Sequence, residues 1–489
     1  MESRTPNLPT AAADPVLAPD LPRRLVVVAA GALLAGGALA LVAATGADDI
    51  WLKTAIFLFV LFFLLASGVW IGLALMGVAY VGMAAFTASP AGDAMITTIW
   101  TSSSSWTLTA LPLFIWMGEI LFRTRLSEDM FKGLAPWMAR LPGGLLHTNV
   151  VGCTIFAAIS GSSAATLMTV GKMAVPELRR RRYPEFMTIG SLAGSATLGL
   201  MIPPSLTLIV YGVTINESIS KLFIAGIVPG LVLAAMFMGY IVAWHLVRRD
   251  QRPEPEPRVG FAEKLRKARF LIPVAGLVLS VIGSMYLGLA TPTEAAAIGV
   301  IGALVLAAAQ GSLNWSTFTR SLVGAVRTSA MVAFILMGAA FLSLSMGFTG
   351  LPRALAEWLA TLELSVYTLI AALMVFYIVI GCFLDGISAV VLTMAVVEPM
   401  VNIPAFREVG FSMIWFGIFV TVVIEMAQIT PPIGFNLFVL QGMTDHNMGY
   451  IAKTALPMFL IMVLMVVVLV VWPELATWLP DTTRQSPGG

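Results

Sequence analysis

The chain has 489 residues, of which 58% are hydrophobic and only 11% are charged, with a mean hydropathy of +0.92. Soluble domains carry about 25% charged residues, so this composition excludes a water-soluble globule. The balance of 28 Lys and Arg against 26 Asp and Glu gives no charge bias toward nucleic acid. Cys153 and Cys382 lie in apolar runs, which disfavours a disulfide framework or a metal cluster. The composition predicts an all-α polytopic membrane protein.

The first apolar run, residues 25–45, follows Arg23 and Arg24. The alternatives are a cleaved signal peptide and a retained span. The run is about 20 residues long, whereas the apolar core of a signal peptide has 7–15, so we interpret it as a span. Residues 1–53 then form an N-terminal tail with one transmembrane segment.

Further along the chain, apolar runs mark spans, since a bilayer needs about 20 mostly apolar residues. These runs cover residues 54–69, 72–88, 97–121, 186–213, 222–247, 270–289, 293–310, 324–346, 412–440 and 452–475. Segments 145–177 and 366–401 are apolar but interrupted by Gly, Ser and Asp, which predicts helix–turn–helix re-entrant hairpins. Residues 127–140 have the pattern of an amphipathic surface helix.

Charge placement indicates how these two hairpins lie in the membrane, because Lys and Arg near spans favour the cytoplasmic side. Basic residues flank the first hairpin on both sides, ending in the run Arg179–Arg182. The flanks of the second hairpin are weakly charged. The two hairpins are therefore predicted to enter from opposite faces.

An internal repeat agrees with this topology. Gly161-Ser162-Ser163 is echoed by Asp385-Gly386-Ile387-Ser388, and the pair Pro203-Pro204 is echoed by Pro431-Pro432 in the same order. Two oppositely oriented copies with interrupted segments are typical of inverted-repeat secondary transporters. The predicted organisation is a first repeat at 54–250, a cytoplasmic loop at 251–269, a second repeat at 270–476 and a tail at 477–489.

The interruptions are candidate binding sites. Irregular backbone survives at membrane depth only where it is buried in protein or lines a wet cavity. Glycine permits the turn, while freed carbonyls and Ser hydroxyls supply hard oxygen ligands that suit sodium. The alternative is close helix packing by small residues. The recurrence of the interruptions, together with paired prolines, favours a site.

Asp385 is the most informative ionisable residue, because a carboxylate at bilayer depth usually marks an ion or substrate pathway. It also fits a helix N-cap, and direct ligation of an ion is left open. Thr291 and Glu294 fit a structural capping box. Glu119 and Glu425 lie within spans and are either proton carriers or partners of polar neighbours.

These motifs together resemble the large membrane subunit of TRAP (tripartite ATP-independent periplasmic) transporters, the DctM-like family. The matching stretches include residues 111–119, 141–144, 159–166, 202–205, 222–230, 291–297, 384–386 and 430–438. The resemblance covers residues 54–475, so the tail and the span 25–45 are additional, and four helices do not fit in them.

The resemblance implies an elevator-type importer of small organic acids in the bacterial inner membrane, driven by sodium and not an enzyme. Its implied partners are a small four-helix membrane subunit and a periplasmic solute-binding protein. The resemblance implies no cofactor, and Na⁺ is the coupling ion. Carried over, the first sodium site comprises Ser162, Ser163 and Gly194, and the second comprises Asp385, Gly386, Ser388 and Thr430. We expect substrate contacts at Ser205, Asn436 and Ala164.

Two other functions are alternatives for this sequence. One is a standalone sodium/divalent-anion symporter with a similar repeat plan. The other is a membrane hydrolase using Ser162 or Ser163, which nothing supports. No Gly-x-Ser-x-Gly surrounds those serines, and His147, His245 and His446 lie near span ends or loops.

Overall fold

The computed structural model describes residues 50–124, 126–248, 260–350, 353–354, 357–358, 361 and 364–482. Every regular element within these ranges is a helix. The predicted span 25–45, most of the N-terminal tail, residues 251–259 of the predicted loop and residues 483–489 lie outside the described part.

The α-helices are numbered here in chain order. In the first half they are α1 (Ile50–Ala66), α2 (Ile71–Phe86), α3 (Ala91–Ser103), α4 (Ala110–Phe122), α5 (Leu126–Met138), α6 (Leu146–Ser160), α7 (Ser163–Arg180), α8 (Glu185–Ala196), α9 (Leu198–Met201), α10 (Leu206–Ile215) and α11 (Ile219–Val247). In the second half they are α12 (Phe261–Ala268), α13 (Ile272–Tyr286), α14 (Pro292–Ala309), α15 (Trp315–Thr349), α16 (Val366–Gly381), α17 (Gly386–Val401), α18 (Pro404–Glu408), α19 (Met413–Gln428), α20 (Phe435–Gln441), α21 (Met448–Val471) and α22 (Glu474–Thr482).

Membrane-spanning character is confirmed by length and composition. Among the described residues, five helices are long and apolar enough to cross a bilayer, or up to seven if each of two bent pairs forms one span. The chain is therefore a multi-pass helical membrane protein, as the composition predicted.

The predicted span 97–121 is not one straight helix. It consists of α3, a short 3₁₀ turn at Trp106–Thr109 and α4, and the two parts are bent by 54°. The bend follows a run of four serines, residues 102–105. The Ser103 hydroxyl donates to the Ile99 carbonyl at 2.7 Å, and such side-chain bonds compete with the regular helix.

The predicted loop 251–269 also differs from expectation, because its end forms the helix α12. An i,i+4 ion pair joins Glu263 to Lys267 at 3.0 Å, and Lys264 lies over the Trp137 ring of α5 at 5.6 Å. These side chains hold a helical turn that a reading of hydropathy alone does not detect.

The helices pack in two groups. In the outer group, α15 packs on α2, α3 and α4, and α14 packs on α4 and α13. In the inner group, α6, α7 and α8 pack together, α10 packs on α17, and α19 packs on α16 and α21. The α19 helix lies at the centre, since every residue from Trp415 to Gln428 is buried. Both predicted interrupted segments, 145–177 and 366–401, belong to the inner group.

Candidate functional site

Both predicted helix–turn–helix segments are present where the sequence placed them. The first is α6 and α7, joined at Gly161, which has a left-handed φ of 58°. Ser162 caps α7, and its hydroxyl oxygen accepts a bond from the Ala165 amide at 3.4 Å. We call Gly161, Ser162 and Ser163 the first tip.

The second segment is α16 and α17, joined by residues 382–385. Asp385 caps α17, because its carboxylate accepts bonds from the Ser388 amide at 3.3 Å and from the Ser388 hydroxyl. The predicted capping role of Asp385 is thus confirmed, and its side chain is otherwise exposed. We call residues 385–388 the second tip.

Opposite the tips lie two broken helices. The first break, residues 197–205, separates α8 from α10 and contains the one-turn helix α9. The second break, residues 429–434, separates α19 from α20. Each contains a proline pair, Pro203-Pro204 and Pro431-Pro432, and both of these peptide bonds are cis. Prolines donate no backbone hydrogen bond, so carbonyls one turn upstream lose their helical partners. The proline pair of the first break is buried in the inner group, whereas the proline pair of the second break is exposed.

The first tip touches the first break, backbone against backbone. The Leu206 amide donates to the Gly161 carbonyl at 3.4 Å. A Cβ atom on Gly161 would lie 2.7 Å from the Pro204 carbonyl oxygen, and one on Gly199 would lie 2.6 Å from Cα of Ser163. Only glycine permits this approach, which places carbonyl and hydroxyl oxygens of both segments side by side.

The second tip touches both broken helices. Gln428, the last residue of α19, donates through Nε2 to the Leu384 carbonyl at 3.1 Å. A Cβ atom on Gly386 would lie 2.9 Å from the Leu200 side chain and 3.4 Å from Oγ1 of Thr207. The second tip is thus held between α19 of its own half and the first break of the other half.

Several polar groups beside the tips and breaks are buried and make no well-aligned hydrogen bond. Glu425 is 1% exposed, and Asn436 and Thr207 are 0% exposed. Within the described residues, neither Glu425 carboxyl oxygen, neither Asn436 amide atom nor Thr207 Oγ1 makes a well-aligned hydrogen bond. An unpartnered buried polar group costs about 1–3 kcal/mol, so such a concentration is typical of a binding site.

The residues predicted for the first sodium site are only partly brought together. Ser162 and Ser163 form the first tip, as expected. Gly194 lies within α8, before the first break, and its Cα faces Met458, where an added Cβ would lie 2.7 Å from the side chain. Its carbonyl already accepts the Thr197 hydroxyl at 2.6 Å and the Thr197 amide at 3.1 Å, so both of its lone pairs are engaged.

The residues predicted for the second sodium site lie in two places. Asp385, Gly386 and Ser388 share the second tip, whereas Thr430 lies in the second break. The Thr430 hydroxyl donates to the Met426 carbonyl at 2.7 Å. Its backbone carbonyl lies 3.6 Å from the Cys382 sulfur, in the turn that leads to the second tip.

The predicted substrate residues surround the same region. Ser205 is buried and caps α10, accepting the Leu208 amide at 3.3 Å. Asn436 is buried in α20, just after the second break, and Ala164 is half-buried beside the first tip.

Glu425 was not assigned to the site from the sequence. The sequence predicts either a proton carrier or the partner of a polar neighbour at this position. One sequence feature could have identified it as a site residue, because Glu425 is the only ionisable residue in α19. The structure shows that it faces Ser163 of the first tip.

A helical bundle with two interrupted hairpins set against two broken helices defines the class of multi-pass membrane transporters. Residues 58–475 match the family described as "Tripartite ATP-independent periplasmic transporter, DctM component". The chain therefore belongs to this family of large permease subunits, and the resemblance stated from the motifs is confirmed.

Three relatives show the range of the family. The chain is 31% identical to the C4-dicarboxylate TRAP transporter large permease protein DctM of Pseudomonas aeruginosa, over 79% of this chain and 88% of the relative. It is 31% identical to the isethionate TRAP transporter permease protein DctMQ of Oleidesulfovibrio alaskensis, over 74% of this chain and 56% of that protein. It is 27% identical to the ectoine TRAP transporter large permease protein TeaC of Halomonas elongata, over 76% and 86%.

One solved structure is similar in fold. The crystal structure of the YdaH transporter from Alcanivorax borkumensis superposes with a TM-score of 0.59 and covers 84% of this chain and 98% of its own. Its sequence identity is 16%, so the likeness concerns the fold alone.

Proposed function

We propose that this permease subunit imports a small organic acid across the bacterial inner membrane, driven by sodium. A periplasmic binding protein delivers the substrate, and a small four-helix membrane subunit completes the transporter. The observation that carries this proposal is the meeting of two helix–turn–helix tips with two proline-broken helices, beside buried polar groups that make no well-aligned hydrogen bond. Family membership supports the tripartite assembly.

The donor set at the tips fits sodium. It consists of Ser hydroxyls, backbone carbonyls freed by glycine or proline, and the Asp385 carboxylate, all of them hard oxygen ligands. In this proposal the first sodium is held by Ser162, Ser163 and Gly194, whose carbonyl would exchange one of its bonds to Thr197 for the ion. The second is held by Asp385, Gly386, Ser388 and Thr430. Asp385 then both caps α17 and supplies negative charge.

The same region suits an anionic substrate. The N-termini of α7 and α17 lie at the first and second tips. A helix N-terminus carries a partial positive charge, which favours binding of a carboxylate. Ser205 and Asn436 add hydrogen-bond groups, with Ala164 beside them. The named substrates of the relatives, C4-dicarboxylate, isethionate and ectoine, each contain a carboxylate or sulfonate group.

The two helix groups support an elevator movement. In this proposal the inner group, with both hairpins re-entering the membrane from opposite faces, moves against the outer group. Residues 54–250 and 270–476 are then the inverted repeats that supply one hairpin and one broken helix each. The long helix α15, at 35 residues, spans about 50 Å and provides a rigid track beside α17.

The test is uptake into proteoliposomes that contain this chain, its small subunit and its binding protein, with radiolabelled succinate, isethionate and ectoine as probes. We expect uptake of one probe under an inward sodium gradient and none under a matched potassium gradient. Equal uptake under both gradients would refute sodium coupling. Sodium-driven uptake by the chain alone, without binding protein, would favour the standalone symporter instead.

A further inference from the structure

Glu425 is a buried carboxylate for which the described residues supply no counter-charge. It lies in α19, four residues before the second break, and is 1% exposed. The helix α19 contains no Lys, Arg or His. In the described ranges, no ion pair includes Glu425 and neither of its oxygens has a well-aligned hydrogen bond.

One polar neighbour of Glu425, Ser163, belongs to the other half of the chain. The Ser163 hydroxyl is close enough to act on the Glu425 carboxyl. Ser163 is part of the first tip, which is braced by Ser160. The Ser160 hydroxyl bonds the Thr166 hydroxyl at 2.8 Å and donates to the Ser162 carbonyl at 3.2 Å. Glu425 therefore faces a tip with fixed geometry.

The charge balance of the two proposed sodium sites points to a role for this carboxylate. The second site contains Asp385, whereas the first, at Ser162, Ser163 and Gly194, contains only neutral groups. A cation in a low-dielectric interior is stabilised strongly by one adjacent carboxylate, and a buried carboxylate needs a positive partner. A sodium ion at the first site would supply the positive charge that Glu425 needs, and Glu425 would supply the negative charge that this site lacks.

We propose that Glu425 is a ligand of the first sodium site, supplied from the second half of the chain. The inference rests on the proposed sodium coupling and extends it to a named residue. A sodium ion between the first tip and Glu425 would tie α7 to α19. Binding of that ion would then fix the first hairpin against the central helix of the second half.

The test measures binding of ²²Na⁺ to the purified chain in detergent and requires no substrate. The decisive variant is Glu425→Gln, which keeps the size of the side chain and removes its charge. The matched control is Glu398→Gln in α17, where the side chain instead accepts a bond from Asn402 at 3.0 Å. Size-exclusion profiles and melting temperatures in potassium establish that each variant is folded.

We expect wild type and Glu398→Gln to bind two sodium ions. Glu425→Gln is expected to lose one ion or to bind it at least about tenfold more weakly, in the range seen when metal-site partners are removed. Wild-type affinity and stoichiometry in Glu425→Gln would overturn the inference. Absence of saturable binding in the wild type would instead refute the proposed sodium coupling itself.

The variant Glu425→Asp covers the case in which Glu425→Gln does not fold. It keeps the charge but shortens the reach by one methylene. Weaker binding of one sodium ion would support the inference, and unchanged affinity for both ions would overturn it.

Discussion

Replacing Gly161 by alanine tests the close contact between the first tip and the first break. Gly161 has φ 58°, and its Cβ would lie 2.7 Å from the Pro204 carbonyl oxygen and 3.3 Å from the Leu206 side chain. Gly311 is the matched control, since its φ is 66° but nothing lies within 4 Å of its Cβ position. Both substitutions place a non-glycine residue in the left-handed region, at a cost of about 1–2 kcal/mol.

Only Gly161→Ala must also displace its surroundings. A contact with backbone oxygen cannot be relieved by a side-chain rotation, so the tip must withdraw from the break. Overpacking of this kind costs about 1–3 kcal/mol beyond the backbone strain. The total for Gly161→Ala is then about 2–5 kcal/mol, against about 1–2 for Gly311→Ala.

The assay is thermal unfolding of the purified variants in detergent and potassium chloride, followed by sodium titration. Gly161→Ala should melt well below Gly311→Ala and bind sodium more weakly than wild type. Gly311→Ala should keep wild-type sodium affinity. If the two variants have the same melting temperature and both keep wild-type sodium affinity, the contact between the first tip and the first break contributes neither to stability nor to sodium binding.

Three further variants probe other parts of the account. Asp385→Asn should insert normally but weaken sodium-dependent uptake, and unchanged sodium affinity would remove Asp385 from the second site. Gln428→Leu removes the donor to Leu384 and leaves a buried carbonyl unpaired, so it should destabilise the chain by about 1–3 kcal/mol in thermal unfolding and reduce uptake. Thr291→Ala breaks the observed capping box with Glu294 and should cost about 1 kcal/mol while uptake persists, since this cap lies outside the proposed sites. Loss of uptake there would contradict a purely structural role.

Local signals in the sequence accounted for much of the fold. The segment predicted at 366–401 begins with α16 and ends with α17. The segment predicted at 145–177 continues slightly further than predicted, to Arg180. The capping box at Thr291 is present, with its Oγ1 accepting the Glu294 amide at 3.4 Å. These features depend on residues a few positions apart, whose chemistry sets the local backbone directly.

Long-range contacts were not predictable from the same signals. Glu425 and Ser163 are neighbours in space, as are Gly386 and Thr207, although each pair comes from opposite halves. No periodicity or spacing encodes which buried residue faces which across helices. The same limit explains Gly194, whose contact with Met458 depends on the packing of α8 on α21.

The central claim is that sodium binds at the tips and fixes them against the broken helices, and the most direct measurement is accessibility at Ala164. Ala164→Cys in a chain whose buried Cys153 and Cys382 are replaced by alanine gives one reactive thiol beside the first tip. Its labelling rate with a membrane-impermeant maleimide is measured in sodium chloride and in potassium chloride. We predict slower labelling in sodium chloride, with a dependence on sodium concentration that matches the affinity measured with ²²Na⁺. Equal rates in both salts, in a variant that still binds sodium, would contradict it.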